Sequence, residues 1–108
     1  MKDVKTPSSR SYHEYLISSL KDPERAAGYI EVMLELEEGE EEPLPFELLR
    51  SALKDVMDAR AQYDNISQEA KQLYEKLDKI LLETKGAEIY ALVELLDALG
   101  YRIAIAPK

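Results

Sequence analysis

The sequence NISQEAKQLYEKLDKILLET, residues 65 to 84, decides the fold class of this chain. Its apolar residues recur at the three- and four-residue spacing of one helix face, and no glycine or proline interrupts them. Asn65 and Gln68 have the form of a capping box, which favours a helix start. The segment predicts a single amphipathic helix of about 18 residues that ends at Gly86. Its apolar positions are Ile66, Ala70, Leu73, Leu77, Ile80, Leu81 and Thr84.

Two helices are predicted upstream of this segment, before an acidic linker. In the first, residues 12–21, the spacing places Tyr12, Tyr15, Leu16 and Leu20 on one face. The second has the strongest start signal in the chain, because Asp22 can cap backbone N–H groups and Pro23 suits the first helical position. Its apolar pattern extends to Leu36.

The acidic run EEGEEEPLP, residues 37 to 45, predicts a solvated linker, since its like charges repel one another and it offers little to bury. From Phe46 the helical pattern resumes and continues to about Arg60. A last helix covers Ile89 to Leu99, and Gly100 is placed to form a left-handed cap.

The C-terminal sequence YRIAIAP alternates in the manner of a β-strand, with Tyr101, Ile103 and Ile105 on one side. No other segment predicts a strand convincingly, and a lone strand leaves its backbone groups without partners. Pairing with the same segment of a second chain, or with an edge strand of another protein, satisfies them. We therefore predict a homodimer or a strand-mediated complex, with these three residues at the dimer interface.

The composition predicts one domain of 108 residues, with residues 1–10 as a flexible arm and residues 11–108 as the folded part. The chain lacks cysteine, carries a net charge of −8 and shows no long apolar run. These features predict a cytoplasmic protein without a membrane segment. Such acidity opposes non-specific attraction to DNA and favours a basic partner.

Catalytic chemistry is not predicted. His13 is the only histidine, so neither a catalytic triad with a second imidazole nor a histidine metal site is expected within one chain. The four glycines are scattered singly and form no phosphate-binding loop. Acidic residues beside lysines, such as Glu75 with Lys79, have the spacing of surface ion pairs. We predict no catalytic residue, no metal and no cofactor.

Three segments in combination carry a resemblance to a known family: SYHEYLISSLKDPERAAGYIEVMLELEEG (residues 11–39), LLRSALKDVMDARA (48–61) and LVELLDALGYRIAI (92–105). They resemble the bacterial probable addiction-module antidote proteins, the HigA-like helix-turn-helix antitoxins related to Cro-type repressors. The similarity covers most of the chain from Ser11 onward.

The resemblance implies an all-α fold: a five-to-six-helix bundle of Cro-repressor-like type with a short C-terminal β-strand. It also implies a DNA-binding antitoxin that represses its own operon as a dimer bound to operator DNA, and that neutralises a basic ribonuclease toxin. A recognition helix in the major groove would start near Gln72. The implied nucleic-acid-binding residues are Tyr74, Glu75, Lys76, Lys79 and Lys85.

A second function stays open because of the turn that should precede that helix. Family members usually carry glycine there, whereas this chain has Ala70 and Lys71 inside the continuous apolar stripe. The alternative is a helical protein-interaction and dimerisation module that derives from this family and has lost DNA binding. One unbroken helix over residues 65–84 favours the module, and two helices meeting near Lys71 favour DNA recognition.

Overall fold

The computed structural model describes residues 9–35 and 44–108. It contains five helices there: α1 (Ser9–Ser19), α2 (Pro23–Met33), α3 (Pro45–Gln62), α4 (Gln68–Thr84) and α5 (Ala87–Ala98). The prediction of an all-α fold is confirmed. Residues 1–8 of the predicted arm and residues 37–43 of the predicted linker lie outside the described residues. The last two residues of the predicted arm, 9 and 10, belong to α1.

The starts of α2 and α3 follow directly from local sequence. The Glu24 N–H donates to Asp22 Oδ1 at 2.9 Å and Pro23 opens α2, so the predicted start is confirmed. Pro45 likewise occupies the first turn of α3, but here the cap bond has the opposite direction: the Leu44 N–H donates to a Glu47 carboxylate oxygen at 3.0 Å. Pro45, expected in the linker, thus belongs to the helix.

Helices α1, α2 and α3 enclose the main core. Its buried members are Ile17, Leu20, Ala26, Val56 and Ala59. The predicted inner face of α1 is therefore partly wrong: Leu20 is buried, but Tyr12 and Tyr15 are 62% and 67% exposed. Ile17, next to Leu16 of the predicted stripe, is buried in the core instead.

Helix α4 is a single unbroken helix, as the central segment predicts, but its cap differs. The Ala70 N–H donates to Ser67 Oγ at 3.0 Å, so Ser67 is the N-cap and Gln68 the first helical residue. The capping box predicted at Asn65 is wrong, because the Asn65 N–H instead bonds the Arg60 carbonyl at 2.8 Å and closes the end of α3.

Two left-handed residues, Lys85 (φ 56°) and Gly86 (φ 74°), turn the chain between α4 and α5. Gly100, with φ 92°, ends α5 as predicted. The Tyr101 N–H then donates to the Leu96 carbonyl at 2.7 Å and satisfies one of the last free carbonyl groups of the helix.

Helix α5 lies against α4. The described residues extend over 52 × 35 × 27 Å with a radius of gyration of 15.7 Å. A compact domain of this length has a radius of gyration of about 13 Å. The described part of the chain is therefore more extended than a compact domain of this length. None of the helices in the described ranges is long and apolar enough to cross a membrane.

Candidate protein-interaction surface

The five residues that the resemblance assigns to DNA do not share one face of the molecule. Glu75, Lys76 and Lys79 are exposed on the outer side of α4, and Lys85 is exposed at its C-terminal turn. Tyr74 is only partly exposed and lies on the side of α4 that also carries the buried Leu81. The lysines are thus accessible, whereas Tyr74 faces α3.

An ion pair between α3 and α4 fixes this rotation. Arg50 Nε lies 2.7 Å from Asp78 Oδ1, and a second guanidinium nitrogen lies 3.0 Å from Oδ2. The hydrogen bonds from Arg50 hold the pKa of Asp78 below its usual value. Burial, followed by the charge of Asp78, raises the pKa of Tyr74. Asp78 and Tyr74 therefore belong to the α3–α4 contact.

The turn of a helix-turn-helix is absent at the position where the resemblance puts it. Helix α4 continues from Gln68 through Lys71 to Thr84, so Gln72 lies in its second turn and not at a helix start. The N–H groups and side chains at a helix start are what a recognition helix presents to base edges and phosphates. In this chain the N-cap of α4 is Ser67, so Gln72 and the residues after it do not occupy a helix start.

Helix α5 carries the most distinct exposed apolar feature. Leu92, Leu95 and Leu99 are 51%, 57% and 60% exposed, and their spacing of three and then four residues aligns them on one side. We call these three residues the leucine stripe. Val93, on another side of α5, is buried. A helix that is apolar on several sides normally has contacts on all of them, so the sequence of α5 already indicates a second contact surface.

The predicted dimerisation residues Tyr101, Ile103 and Ile105 follow α5 in the chain, and Ile105 lies near Ile30 of α2 and Val56 of α3. Tyr101 is 65% exposed, and Ile103 and Ile105 are partly exposed. Residues 101–108 form no regular element, and within the described chain the one hydrogen bond that anchors residues 102–108 runs from the Ile105 N–H to Glu31 Oε1 at 3.1 Å. The strand predicted here has no second strand to pair with in one described chain.

Tyr90 anchors the inner side of α5. Its hydroxyl oxygen lies 2.9 Å from the Met33 carbonyl oxygen and 3.0 Å from that of Pro45, so its single proton serves both acceptors. These carbonyl groups end α2 and begin α3. Burial raises the pKa of Tyr90. Because Tyr90 fixes the rotation of α5, the leucine stripe is held on its outer side.

A second cluster was not foreseen from sequence. His13 of α1 lies beside Asp55 and Asp58 of α3, and one potential ligand atom from each lies within 4.8 Å of the others. Asp55 is only 9% exposed and accepts a hydrogen bond from the Tyr29 hydroxyl at 2.9 Å. The expectation of no metal site considered only histidine pairs. An acidic residue on the inner side of α3, between the buried Ala52 and Ala59, is the signal that was available.

Comparison of the chain with protein-family models, with curated proteins and with solved structures found no match. The antidote resemblance accordingly depends on the three sequence segments alone. The function is argued below from the geometry of α4, α5 and the C-terminal segment.

Proposed function

We propose that this chain is a helical protein-interaction module that pairs with a second copy of itself through the leucine stripe. The observation that carries the proposal is the exposure of Leu92, Leu95 and Leu99, each more than half accessible on one side of a well-anchored helix. Isolated exposed leucines are ordinary, but three in register form a continuous apolar strip. Burial of such a strip releases free energy in proportion to its area.

The spacing of the stripe suits a helix–helix contact between two copies. Intervals of three and then four residues are those of the a and d positions in paired helices, whose side chains interdigitate across the seam. A two-fold axis near Leu95 brings the stripes of both copies together, so that the leucines of each copy cover those of the other. Glu94 and Asp97 lie outside the stripe on α5, whereas the exposed Glu88 lies one turn before Leu92 on the same side. With the two-fold axis near Leu95, Glu88 lies at the edge of the contact and not at its centre.

The C-terminal segment extends the same interface. Tyr101 directly follows α5 and is 65% exposed, and the backbone of residues 102–108 has few hydrogen-bond partners in the described chain. We propose that residues 101–105 form a β-strand on pairing with the second copy. Tyr101, Ile103 and Ile105 would then lie on one side of it. The Cro-repressor-like arrangement of the helices is part of the same proposal.

The charge of the module suits a basic protein as its further partner. The chain carries 22 acidic and 14 basic residues, a net charge of −8. An acidic surface speeds association with a basic protein and discriminates against acidic ones. The antidote resemblance suggests a small basic toxin for this role.

DNA recognition is the competing function, and three observations speak against it. Helix α4 has no turn at Lys71, Tyr74 faces α3, and the acidic Glu75 accompanies Lys76 and Lys79 on the outer side. Few phosphate contacts then remain, and these supply most non-specific affinity. We expect no specific band in an electrophoretic shift at low salt with the upstream DNA of its own gene. A specific band that Lys76→Ala and Lys79→Ala abolish would favour the repressor.

Light scattering on the purified chain tests self-association. We expect the mass of a dimer for the wild type and of a monomer for Leu95→Glu, because a charge in the seam would be buried without a partner. Leu48→Glu on α3 is the matched control, since Leu48 is also exposed, at 38%, but lies outside the stripe. A monomeric wild type, or a Leu95→Glu variant that stays dimeric, would contradict the proposal.

A further inference from the structure

We propose that His13, Asp55 and Asp58 form a binding site for one zinc ion, which ties α1 to α3. The three side chains come from two helices that pack together, and one potential ligand atom of each lies within 4.8 Å of the others. The site uses no residue of the leucine stripe and does not depend on self-association.

The spacing is within reach of coordination. Bonds from zinc to imidazole nitrogen and carboxylate oxygen measure about 2.0–2.2 Å, which places neighbouring ligand atoms somewhat under 4 Å apart. Small side-chain rotations bring the three groups to that distance, because His13 is exposed and Asp58 is partly exposed. Asp55 and Asp58 are three residues apart on α3, so their side chains already project on the same side.

A bound cation would offset the cost of burying the Asp55 carboxylate. Its carboxylate is 9% exposed, and its one hydrogen-bond donor among the described residues is the neutral Tyr29 hydroxyl, on Oδ2. A buried carboxylate is costly without a compensating charge. The Tyr29 contact also resembles the outer hydrogen bonds that orient metal-ligating carboxylates. A zinc ion bound to this carboxylate adds a positive charge to that of Lys54, which already interacts with Asp55.

The donor set selects the metal. One imidazole and two carboxylates suit a borderline cation such as Zn²⁺, whereas Mg²⁺ and Ca²⁺ prefer oxygen ligands alone. The chain has no cysteine, so the site offers no thiolate that would favour Cu⁺. Three protein ligands leave one tetrahedral position for water.

Lys54 competes with the ion for Asp58, and its substitution provides a second test of the proposal. Its Nζ lies 3.1 Å from Asp58 Oδ2, so zinc must displace this contact or share the carboxylate. The chain has 22 acidic residues, and some of them can bind zinc weakly at the surface. The test therefore needs a readout at His13 itself, and the single histidine makes that readout unambiguous.

The experiment is a zinc titration of the EDTA-treated full chain, followed by calorimetry and by ¹⁵N NMR of the His13 ring. We expect the ring nitrogen signals to shift and saturate at one ion per chain, and the thermal midpoint to rise by about 5 °C at high saturation. Magnesium at the same concentration should leave the ring signals unchanged.

Three variants sharpen the test. His13→Ala should lose the zinc-dependent rise of the thermal midpoint, and Asp58→Asn should weaken zinc binding at least about 10-fold. Lys54→Met should strengthen binding, a direction that a purely structural role of these residues does not predict. Asp64→Asn, which removes an exposed charge in the α3–α4 turn, is the matched control and should bind as the wild type does.

Zinc binding that leaves the His13 ring signals unmoved, or that His13→Ala retains in full, would overturn the proposal. Circular dichroism checks that each variant is folded, and the exposure of His13 means that its removal leaves the core intact. Asp55→Asn is not needed for the conclusion, because that side chain also supports Tyr29.

Discussion

Arg50 and Asp78 form a two-pronged ion pair that joins the first half of α3 to the second half of α4, with nitrogen–oxygen distances of 2.7 and 3.0 Å. Both side chains are less than one-third exposed. Because a planar guanidinium matches a carboxylate in only a few orientations, the pair fixes the rotation of α4 about its axis. That rotation directs Tyr74 toward α3 and leaves Lys76 and Lys79 in solvent.

Asp78→Asn should lower the free energy of unfolding at neutral pH by about 1 kcal/mol, a value reduced for the partial exposure of the pair. The pKa of Asp78 is lowered in the folded state, so this stabilisation is present above the unfolded pKa, near 4, and is lost as the pH falls. Urea unfolding from pH 7 to pH 2 measures it. A difference between wild type and variant that does not shrink in acid would contradict the assignment.

The start of α4 can be tested by comparing its two candidate caps. Ser67→Ala should reduce stability by about 1 kcal/mol, because the Ala70 N–H loses its acceptor. Asn65→Ala should have little effect, since Asn65 is held through its backbone. Thermal unfolding of both variants distinguishes the caps, and a larger loss for Asn65→Ala would restore the start predicted from sequence.

Gly86→Ala should destabilise the fold by about 1–2 kcal/mol, because the position has a φ of 74° that favours glycine. An added Cβ would also lie 3.0 Å from Phe46 Cβ and from the ring of Tyr90. Gly28→Ala in α2 is the control: it meets no atom within 4 Å and should stabilise the helix by about 0.5–1 kcal/mol. Equal effects in chemical denaturation would contradict this account of the α4–α5 turn.

Tyr90→Phe should cost about 1–2 kcal/mol, because the Met33 and Pro45 carbonyl groups lose their shared donor. Burial raises the pKa of Tyr90 above its unfolded value of about 10. Its contribution is therefore complete below pH 10 and declines as the pH rises further. Stability measured from pH 8 to pH 11 should fall more steeply for the wild type than for Tyr90→Phe, and parallel profiles would count against the contact.

Local signals in the sequence predicted the helices well. Asp22 with Pro23 and the glycine at position 100 act through backbone geometry and hydrogen bonds within a few residues. They therefore need no knowledge of the tertiary structure. The continuity of α4 followed in the same way from an apolar stripe without a breaker.

Choices between neighbouring residues were harder to predict, because they depend on packing. Asn65 and Ser67 are both good caps, and the end of α3 decides between them by engaging the backbone of Asn65. Tyr12 and Tyr15 fit the helical period of α1 as well as Ile17 does, but only contact with α3 shows which side is buried. Periodicity defines a face only to within about one position.

The two candidate sites also differ in whether local sequence or tertiary packing indicates them. The leucine stripe follows from the composition of α5, which has more apolar sides than one neighbouring helix can cover. The approach of His13 to Asp55 and Asp58 joins residues more than forty positions apart, and no spacing rule within the sequence indicates it. Contacts between helices of this kind require the fold.

The most direct test of self-pairing through α5 uses the absence of cysteine from the chain. A Leu95→Cys variant places a single thiol at the centre of the leucine stripe, where a two-fold contact brings both copies within disulfide reach of about 4.4–6.8 Å between Cα atoms. Under mild oxidation we predict rapid formation of a covalent dimer by Leu95→Cys and little by Leu48→Cys. Equal cross-linking of both variants, or none by Leu95→Cys, would contradict the account.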